Sequence, residues 1–304
     1  MDDPKLPPVV DPETVAAEAP ASQLAAPPPR ARWTRAPILV WIFGLWGVMV
    51  VVLAVLAPVL PLATPDLPDY AVIAAPPSAE HLLGTDEYGR DILSRLIWGA
   101  QASLQVGFIA VILGLTVGLV LGMLAGYYRG WVDTVISVLV DVVLAFPALI
   151  FIIVLVAVRG PSKEILVIGL GVVMVPTFTR LARANTLVWS KRDFVSAATV
   201  LGSRRSRTLF REIFPNVLPS LMAYAFTVVA VVMVAEGSLS FLGFGIQPPE
   251  SSWGNMIAGG RAFLYNAPWI VGFPAATLLL TVLSFNFFGD YLRGRRAGRT
   301  DVTL

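Results

Sequence analysis

The sequence predicts an all-α polytopic membrane protein with six transmembrane helices. Hydrophobic residues make up 56% of the 304 residues, and the mean hydropathy is +0.75. Charged residues make up only 14%, against about 25% in ordinary soluble domains. Six apolar runs, each about 20 residues or longer, can each cross a hydrocarbon layer of roughly 30 Å as a helix.

The same composition excludes several kinds of chemistry. The chain has no cysteine and a single histidine, His81. It therefore offers no disulfide framework, no thiolate nucleophile and no metal centre built on cysteine or several histidines. We expect no catalytic residue and no metal ligand in this chain.

Residues 1–37 precede the first apolar run and hold nine prolines among alanines and scattered charges. Such a segment cannot bury enough apolar surface to offset the entropy lost on ordering, so we predict a disordered tail. A secretory signal is not expected, because Asp2 and Asp3 come first and the apolar run starts late.

The first predicted helix, 38–57, carries no charge, and a polar stretch of about 40 residues follows it. The third contains Asp141, the fourth contains Arg180 and Arg183 with a proline that can kink it, and the fifth contains Glu236. We divide the chain into the tail, a first helix with its outer segment (38–99), and a membrane core (100–304). The other five predicted helices cover 101–128, 134–158, 165–189, 217–245 and 269–289.

The distribution of basic residues predicts the orientation. Segments on the same side as the tail carry 17 lysines and arginines, and segments on the opposite side carry 5. The positive-inside rule therefore places both termini, and the loop between the fourth and fifth helices, in the cytoplasm.

That loop, residues 190–219, is predicted to form two short helices around a turn. Ser190 and Asp193 have the S-x-x-D spacing of a capping box. Gly202 is a left-handed stop, since a residue without Cβ enters that conformation at low cost. The first helix has one apolar face, formed by Phe194, Ala198 and Leu201.

The second short helix of the loop is predicted to end at Pro215. Its apolar side is formed by Leu209, Phe210, Ile213 and Phe214. A basic cluster lies between and along the two helices and consists of Arg204, Arg205, Arg207 and Arg211.

This loop resembles the EAA loop of ABC-importer permeases, on the residues Ser196-Ala197-Ala198, Gly202 and Ile213-Phe214-Pro215-Asn216. It departs from the family pattern at Ser196, where the family has Glu, and at Glu212, a position often occupied by His. The resemblance implies a coupling helix that enters a groove on a cytoplasmic ATPase. The alternative is an amphipathic helix lying on the membrane surface. The coupling residues would be Ser196, Ala197, Ala198, Leu201 and Gly202.

Further stretches resemble the C-type permease of oligopeptide, dipeptide and nickel importers. They are H-L-L-G-T-D-E-Y-G-R-D-I-L-S-R at 81–95, G-Y-Y-R-G-W-V-D at 126–133 leading to A-F-P at 145–147, L-S-F-L-G-F-G-I-Q-P-P at 239–249 with S-W-G-N-M at 252–256, and F-N-F-F-G-D at 285–290. The resemblance implies the type I ABC importer permease fold, with the coupling helix between helices 4 and 5.

It also implies the partners: a homologous permease, two ATPase subunits and an external solute-binding protein, in the lipid bilayer of a bacterial inner membrane. No cofactor and no nucleic acid is expected in this chain. Its lysines, Lys5, Lys163 and Lys191, lie outside any phosphate-binding G-x-x-x-x-G-K-[ST] motif, so ATP and Mg would belong to partner subunits.

Three groups of residues are candidate sites. A glycine at every fourth position of the second helix predicts close helix packing, within the chain or between subunits. The acidic and basic residues near 86–91 could contact the binding protein or the partner permease, or form a structural turn; metal binding is disfavoured because EF-hand spacing is absent. Ionisable residues inside apolar runs suggest a translocation path, or alternatively an interhelical hydrogen bond. The groups are Gly114, Gly118, Gly122 and Gly126; Asp86, Glu87, Arg90 and Asp91; and Glu236 with Asp141.

The sequence leaves the substrate class open. Peptides lead because the resembling subfamily mostly carries them, while nickel chelates, haem and glycopeptides remain alternatives. A membrane-embedded enzyme would need a cluster of nucleophiles or metal ligands, and a channel or secondary transporter would need no coupling loop. Co-purification of ATPase subunits would separate these classes.

Overall fold

The computed structural model describes residues 36–300, with side chains described for 38–294. The disordered tail predicted for 1–37 lies outside these residues, apart from Ala36 and Pro37, the first two residues of α1. The described part is helical apart from loops and one isolated β-bridge, Thr85 to Asp91. Its main helices are α1 (Ala36–Leu56), α2 (Ile92–Tyr128), α3 (Gly130–Ala145), α4 (Ala148–Arg159), α5 (Lys163–Trp189), α6 (Asp193–Val200), α7 (Phe214–Phe241), α8 (Trp253–Gly260) and α9 (Trp269–Thr300).

Helix α1 packs against α9 along one side. Trp46 donates its indole N–H to Thr281 Oγ1 at 3.1 Å, and Ser284 donates its hydroxyl to the Phe43 carbonyl at 2.6 Å. The Phe43 ring stacks on Phe287 with centroids 4.8 Å apart. Most other side chains of α1 are exposed, as expected for a peripheral helix that faces lipid.

Helix α2 begins at Ile92, earlier than the predicted start at 101. The Asp91 carboxylate caps it by accepting a hydrogen bond from the Ser94 amide at 2.8 Å. Because this cap satisfies an amide group at the helix start, the charged first turn of α2 can be helical although it is not apolar.

The third predicted helix, 134–158, is broken into α3 and α4, which are bent by 78° relative to each other. Phe146 is extended (φ −90°, ψ 128°), and Pro147 lacks an amide hydrogen. The residue before a proline disfavours the helical region, and the sequence shows this break only as A-F-P. The described part therefore has five unbroken helices long enough to span a membrane, or six spans when α3 and α4 are counted as one.

The chain is helical without interruption from Arg205 to Phe241, which corrects the second short helix of the predicted loop. A turn of α-helix, Arg205–Arg207, leads into a π-helical segment, Thr208–Ile213, and then into α7. Pro215 lies where the π-helical segment passes into α7, and it does not end the helix.

Helix α8 is short but deeply packed. A capping box between Ser252 and Asn255 starts it. Trp253 is fully buried and donates its indole N–H to the Leu96 carbonyl of α2 at 3.0 Å. This contact fixes α8 against the beginning of α2.

Candidate functional site

The α5–α6 junction is built differently from the prediction. Ser190 ends α5, and its hydroxyl donates to the Leu187 carbonyl at 3.1 Å. Helix α6 begins at Asp193 after Arg192, without a side-chain capping bond. The predicted capping box is therefore wrong, because Ser190 belongs to the preceding helix.

The turn after α6 is a Schellman motif, which confirms Gly202 as the left-handed stop. Gly202 has φ +79°. Its amide donates to the Thr199 carbonyl at 3.0 Å, and the Ser203 amide donates to the Ala198 carbonyl at 3.0 Å. These bonds set the direction in which the chain leaves α6.

Helix α6 has one buried side and one outward side. Val195 is buried, and α6 packs on the π-helical segment, whose Leu209 and Ile213 are also buried. Val200 and Leu201 are each 87% exposed. Of the predicted coupling residues, Ser196, Ala197, Leu201 and Gly202 are exposed and Ala198 is half-buried.

The basic cluster lies on the outer surface of the π-helical segment and the turn before it. Phe210 is 60% exposed here, whereas Leu209 and Ile213 are buried, so the predicted apolar side of this helix is corrected: Phe210 lies on its outer surface. A shallow cleft of about 420 Å³ is lined by Arg204, Ser206, Arg207, Phe210 and Arg211.

The residues at 86–91 are mainly internal, which corrects their assignment as a contact surface. Asp86 is 3% exposed and Arg90 is 6% exposed. Arg90 Nε donates to Asp86 Oδ2 at 2.7 Å, and Arg95 Nε lies 3.3 Å from the same oxygen. Asp91 caps α2 and its other oxygen lies 3.1 Å from His81 Nδ1. The group fastens the α1–α2 segment to the start of α2.

Glu87 lies at the edge of this group. Arg90 donates to Glu87 Oε1 over 3.4 Å. Burial raises the pKa of the Glu87 carboxyl above its ordinary value, and the neighbouring charge of Asp86 raises it further. Among the described residues, no group of three or more histidine, aspartate or glutamate side chains is placed to hold a metal ion.

Glu236 is fully buried in α7 and forms interhelical hydrogen bonds. Its two carboxylate oxygens accept bonds from Ser103 Oγ at 3.1 Å and from Ser240 Oγ at 2.7 Å. Ser103 Oγ in turn accepts from the Trp253 amide at 3.3 Å. Glu236 therefore joins α2, α7 and α8 and does not line an opening of this chain, which corrects its assignment to a translocation path.

Asp141 lies on α3 and is exposed. Arg180 of α5 donates to Asp141 Oδ1 at 2.8 Å, and the two side chains are 62% and 66% exposed, the arginine first. About two turns earlier on α3, Asp133 accepts hydrogen bonds from Arg183 of α5 at both of its oxygens, each at 2.6 Å. A cleft of about 310 Å³ opens between α3 and α5 and is lined by Ile136, Ser137, Val140, Asp141, Thr179, Arg180 and Arg183.

The four glycines of α2 lie directly against α5. A Cβ added at Gly114 would lie 2.7 Å from Met174 Cβ, and one at Gly122 would lie 2.6 Å from Ala182 Cβ. Gly118 and Gly126 contact Phe178 and Thr186 in the same way. The glycine spacing thus packs two helices of this chain together, which was one of the two open alternatives.

A comparison of the sequence with known protein families decides what kind of membrane protein this is. Residues 118–298, more than half of the chain, match the family described as "binding-protein-dependent transport system inner membrane component". The chain belongs to this family. It is a permease subunit of an ABC importer and an integral membrane protein.

Two curated relatives of this permease are similar over most of their length. The dipeptide transport system permease protein DppC of Alkalihalophilus pseudofirmus is 40% identical over 217 residues, which are 71% of both chains. The glutathione transport system permease protein GsiD of Escherichia coli is 40% identical over 225 residues, which are 74% of both chains.

Solved structures confirm the fold of the permease. A chain of the inward-facing MetNI methionine ABC transporter has 18% identity and a TM-score of 0.55, covering 66% of this chain and 95% of that one. A chain of an amino acid ABC transporter crystallised with histidines has 18% identity and a TM-score of 0.52, covering 67% and 94%. The predicted type I ABC importer permease fold is thereby confirmed.

Several residues that organise the permease were not singled out from the sequence. Asp133 and Arg183 form a bidentate pair, and Ser103 and Ser240 bind Glu236. The two acids on α3 and the two arginines on α5 could have predicted ion pairs between these helices, since charges within apolar runs usually pair with one another. Serine gives no such signal, because it is compatible with almost any position in a span.

Proposed function

We propose that this permease imports dipeptides or oligopeptides and forms the translocation path together with a homologous permease. Two separate ATPase subunits drive it through the loop at 190–219, and an external solute-binding protein delivers the substrate. Both termini lie in the cytoplasm of a bacterial cell, on the side of the ATPases. ATP hydrolysis belongs to the partners, since no lysine of the chain lies in a phosphate-binding motif.

The observation that carries this proposal is the outward side of α6. Two large apolar side chains, Val200 and Leu201, are almost fully exposed at the end of a helix whose opposite side is anchored by Val195. The Schellman turn at Gly202 holds this end in one direction. An apolar helix tip held in one direction fits insertion into a groove of a partner protein.

The relatives favour a peptide as the substrate. One is named as a dipeptide permease and another as a glutathione permease, and glutathione is itself a small peptide. Nickel chelates, haem and glycopeptides are therefore less favoured than peptides of two or three residues.

Co-purification tests the coupling. The tagged permease should retain ATPase subunits, and the variant Leu201→Glu should lose them or uncouple them. An unpaired charge in a desolvated contact costs several kcal/mol, and about 1.4 kcal/mol is tenfold in binding. We expect uptake of a labelled dipeptide to fall at least tenfold while the amount of permease in the membrane stays at the wild-type level.

Lys191→Gln is the matched control, since it changes the net charge by the same one unit on the same loop but outside α6. It should bind the ATPase and transport as the wild type does. Normal uptake by Leu201→Glu would contradict the coupling role. Absence of ATPase from the purified wild-type permease would favour a channel or secondary transporter.

A further inference from the structure

The cleft between α3 and α5 places an exposed ion pair inside the membrane. Arg180 is the eighteenth of the 27 residues of α5 and lies about 14 Å from the end of the helix, at 1.5 Å per residue. A hydrocarbon layer of about 30 Å centred on α5 leaves roughly 5 Å at each end, so Arg180 and Asp141 lie within it. An arginine can extend toward the interface, but the short side chain of Asp141 cannot.

The backbone near this pair, like the charges, requires surroundings other than lipid. The break at Phe146 and Pro147 leaves carbonyls at the end of α3 and amides at the start of α4 without helical partners. Residues 144–150 are all exposed. Irregular backbone at membrane depth is tolerated where it is buried in protein or lines water, and not against lipid. Asp141 lies only five residues before Phe146, about 7.5 Å along α3. The ion pair and the break therefore each exclude lipid from neighbouring parts of the same segment.

The two ion pairs of the cleft differ in their number of hydrogen bonds and in their exposure to solvent. Arg183 and Asp133 are joined by two hydrogen bonds and are the less exposed pair. Arg180 and Asp141 share one hydrogen bond, and about two thirds of each side chain is open. Within the described part of the chain, the second Asp141 oxygen accepts no hydrogen bond. The Arg183–Asp133 pair therefore connects α5 to α3 firmly. In the Arg180–Asp141 pair, one carboxylate oxygen can still accept a hydrogen bond from another group.

We propose that this cleft is a water-filled station on the translocation path that takes a zwitterionic peptide. The peptide ammonium binds Asp141 and its terminal carboxylate binds Arg180. At neutral pH a free peptide carries both charges, so each end exchanges one charged partner for another and no lone charge is buried. The volume of about 310 Å³ suits a solute of dipeptide size. This inference rests on the proposed function and adds the residues that meet the substrate.

Thiol labelling tests whether the cleft holds water. The chain has no cysteine of its own, so Ser137→Cys in the cleft and Val138→Cys beside it can be compared in membranes without background. Val138 is 56% exposed but does not line the cleft. A charged methanethiosulfonate reagent should modify Ser137→Cys at least tenfold faster than Val138→Cys. Equal rates, or no reaction at 137, would overturn the proposal.

A double variant tests what the charges do. If the pair is only a structural tie, Asp141→Leu with Arg180→Leu should restore whatever the single variants lose, since apolar pairs often replace ion pairs without cost. If the pair binds substrate, the double variant assembles with its partners but takes up labelled dialanine at least tenfold more slowly. Uptake at the wild-type rate would overturn the proposal, and the labelling result decides the matter if the double variant does not assemble.

These outcomes are separable from failure of the proposed function. Loss of ATPase co-purification from the wild-type permease contradicts the importer, whereas the labelling rates report on the cleft whether or not an ATPase is bound.

Discussion

At the scale of single residues, charge inside the membrane is handled in two ways. Glu236 accepts hydrogen bonds from the hydroxyl of Ser240 on its own helix and from that of Ser103 on α2. Ser103 lies 133 positions earlier in the chain. Asp141 is left open beside Arg180. The sequence shows both as acids in apolar runs, and nothing local distinguishes them. The difference arises from which helices pack together, because only packing brings hydroxyls to one acid and a cleft to the other.

Glu87 provides a prediction about pH. Its folded-state pKa lies above the ordinary value of 4.5, so the folded protein holds the proton more tightly than the unfolded chain. Stability contributed by Glu87 is therefore fully present below the ordinary pKa and is lost as the pH rises through the raised one. Glu87→Gln cannot ionise, so its thermal stability relative to the wild type should increase as the pH rises above the ordinary value of 4.5.

Thermal unfolding of the purified protein in detergent at a series of pH values measures this difference. Asp69→Asn, an acid on the same segment with an exposed side chain, serves as a control and should not reproduce the trend. A constant difference between Glu87→Gln and the wild type across the range would contradict the assignment.

At the scale of helices, the sequence correctly predicted the features that depend on the chemistry of single residues. The Gly202 stop and the glycine spacing of α2 follow from the missing Cβ, and both are as expected. The break at Phe146 and the course of the helix through Pro215 depend on context, since proline can end, bend or begin a helix. At 147 the chain bends by 78°, whereas at 215 a π-helical segment precedes the proline and the helix continues.

The α2–α5 packing provides a prediction at this scale. In Gly122→Leu, the added side chain would meet the backbone and Cβ of Ala182 and Thr179 on α5, neither of which can move without separating the helices. We expect a loss of about 1–3 kcal/mol of stability, as for other overpacked contacts, and much less permease in the membrane. Gly44→Leu on α1 is the control, because nothing lies within 4 Å of its added Cβ. Normal yield of Gly122→Leu would contradict the packing role.

At the scale of the whole molecule, exposed apolar side chains are densest on α1, α3 and α4 among the described residues. These helices expose residues such as Trp41, Leu45, Val138 and Ile150, whereas α2 and α7 are about half buried. Lipid can cover α1 entirely. The face of α3 and α4 that carries the helix break cannot be covered by lipid alone, so the proposed partner permease would lie on that side.

The predicted orientation of the molecule can be tested with the absence of cysteine. Ser78→Cys, in the exposed α1–α2 segment, should react in intact cells with a thiol reagent that cannot cross the membrane. Ser206→Cys, in the exposed part of the α5–α7 loop, should react only after the cells are opened. Reaction at position 206 in intact cells would place the loop outside and remove the basis for ATPase coupling.

The unbroken helix from Arg205 to Phe241 has a mechanical consequence. Its 37 residues form a rod about 55 Å long, with α6 resting on one end and the Glu236 hydroxyl cluster near the other. The π-helical segment and both prolines lie within its first 15 residues, and the remaining 22 residues contain neither. Bending is therefore easiest near α6. A rotation of only about 5° at the prolines swings the far end of this helix by about 3 Å. A displacement of α6 would thus be transmitted through this helix to its far end. There it would move α8, which packs against α7.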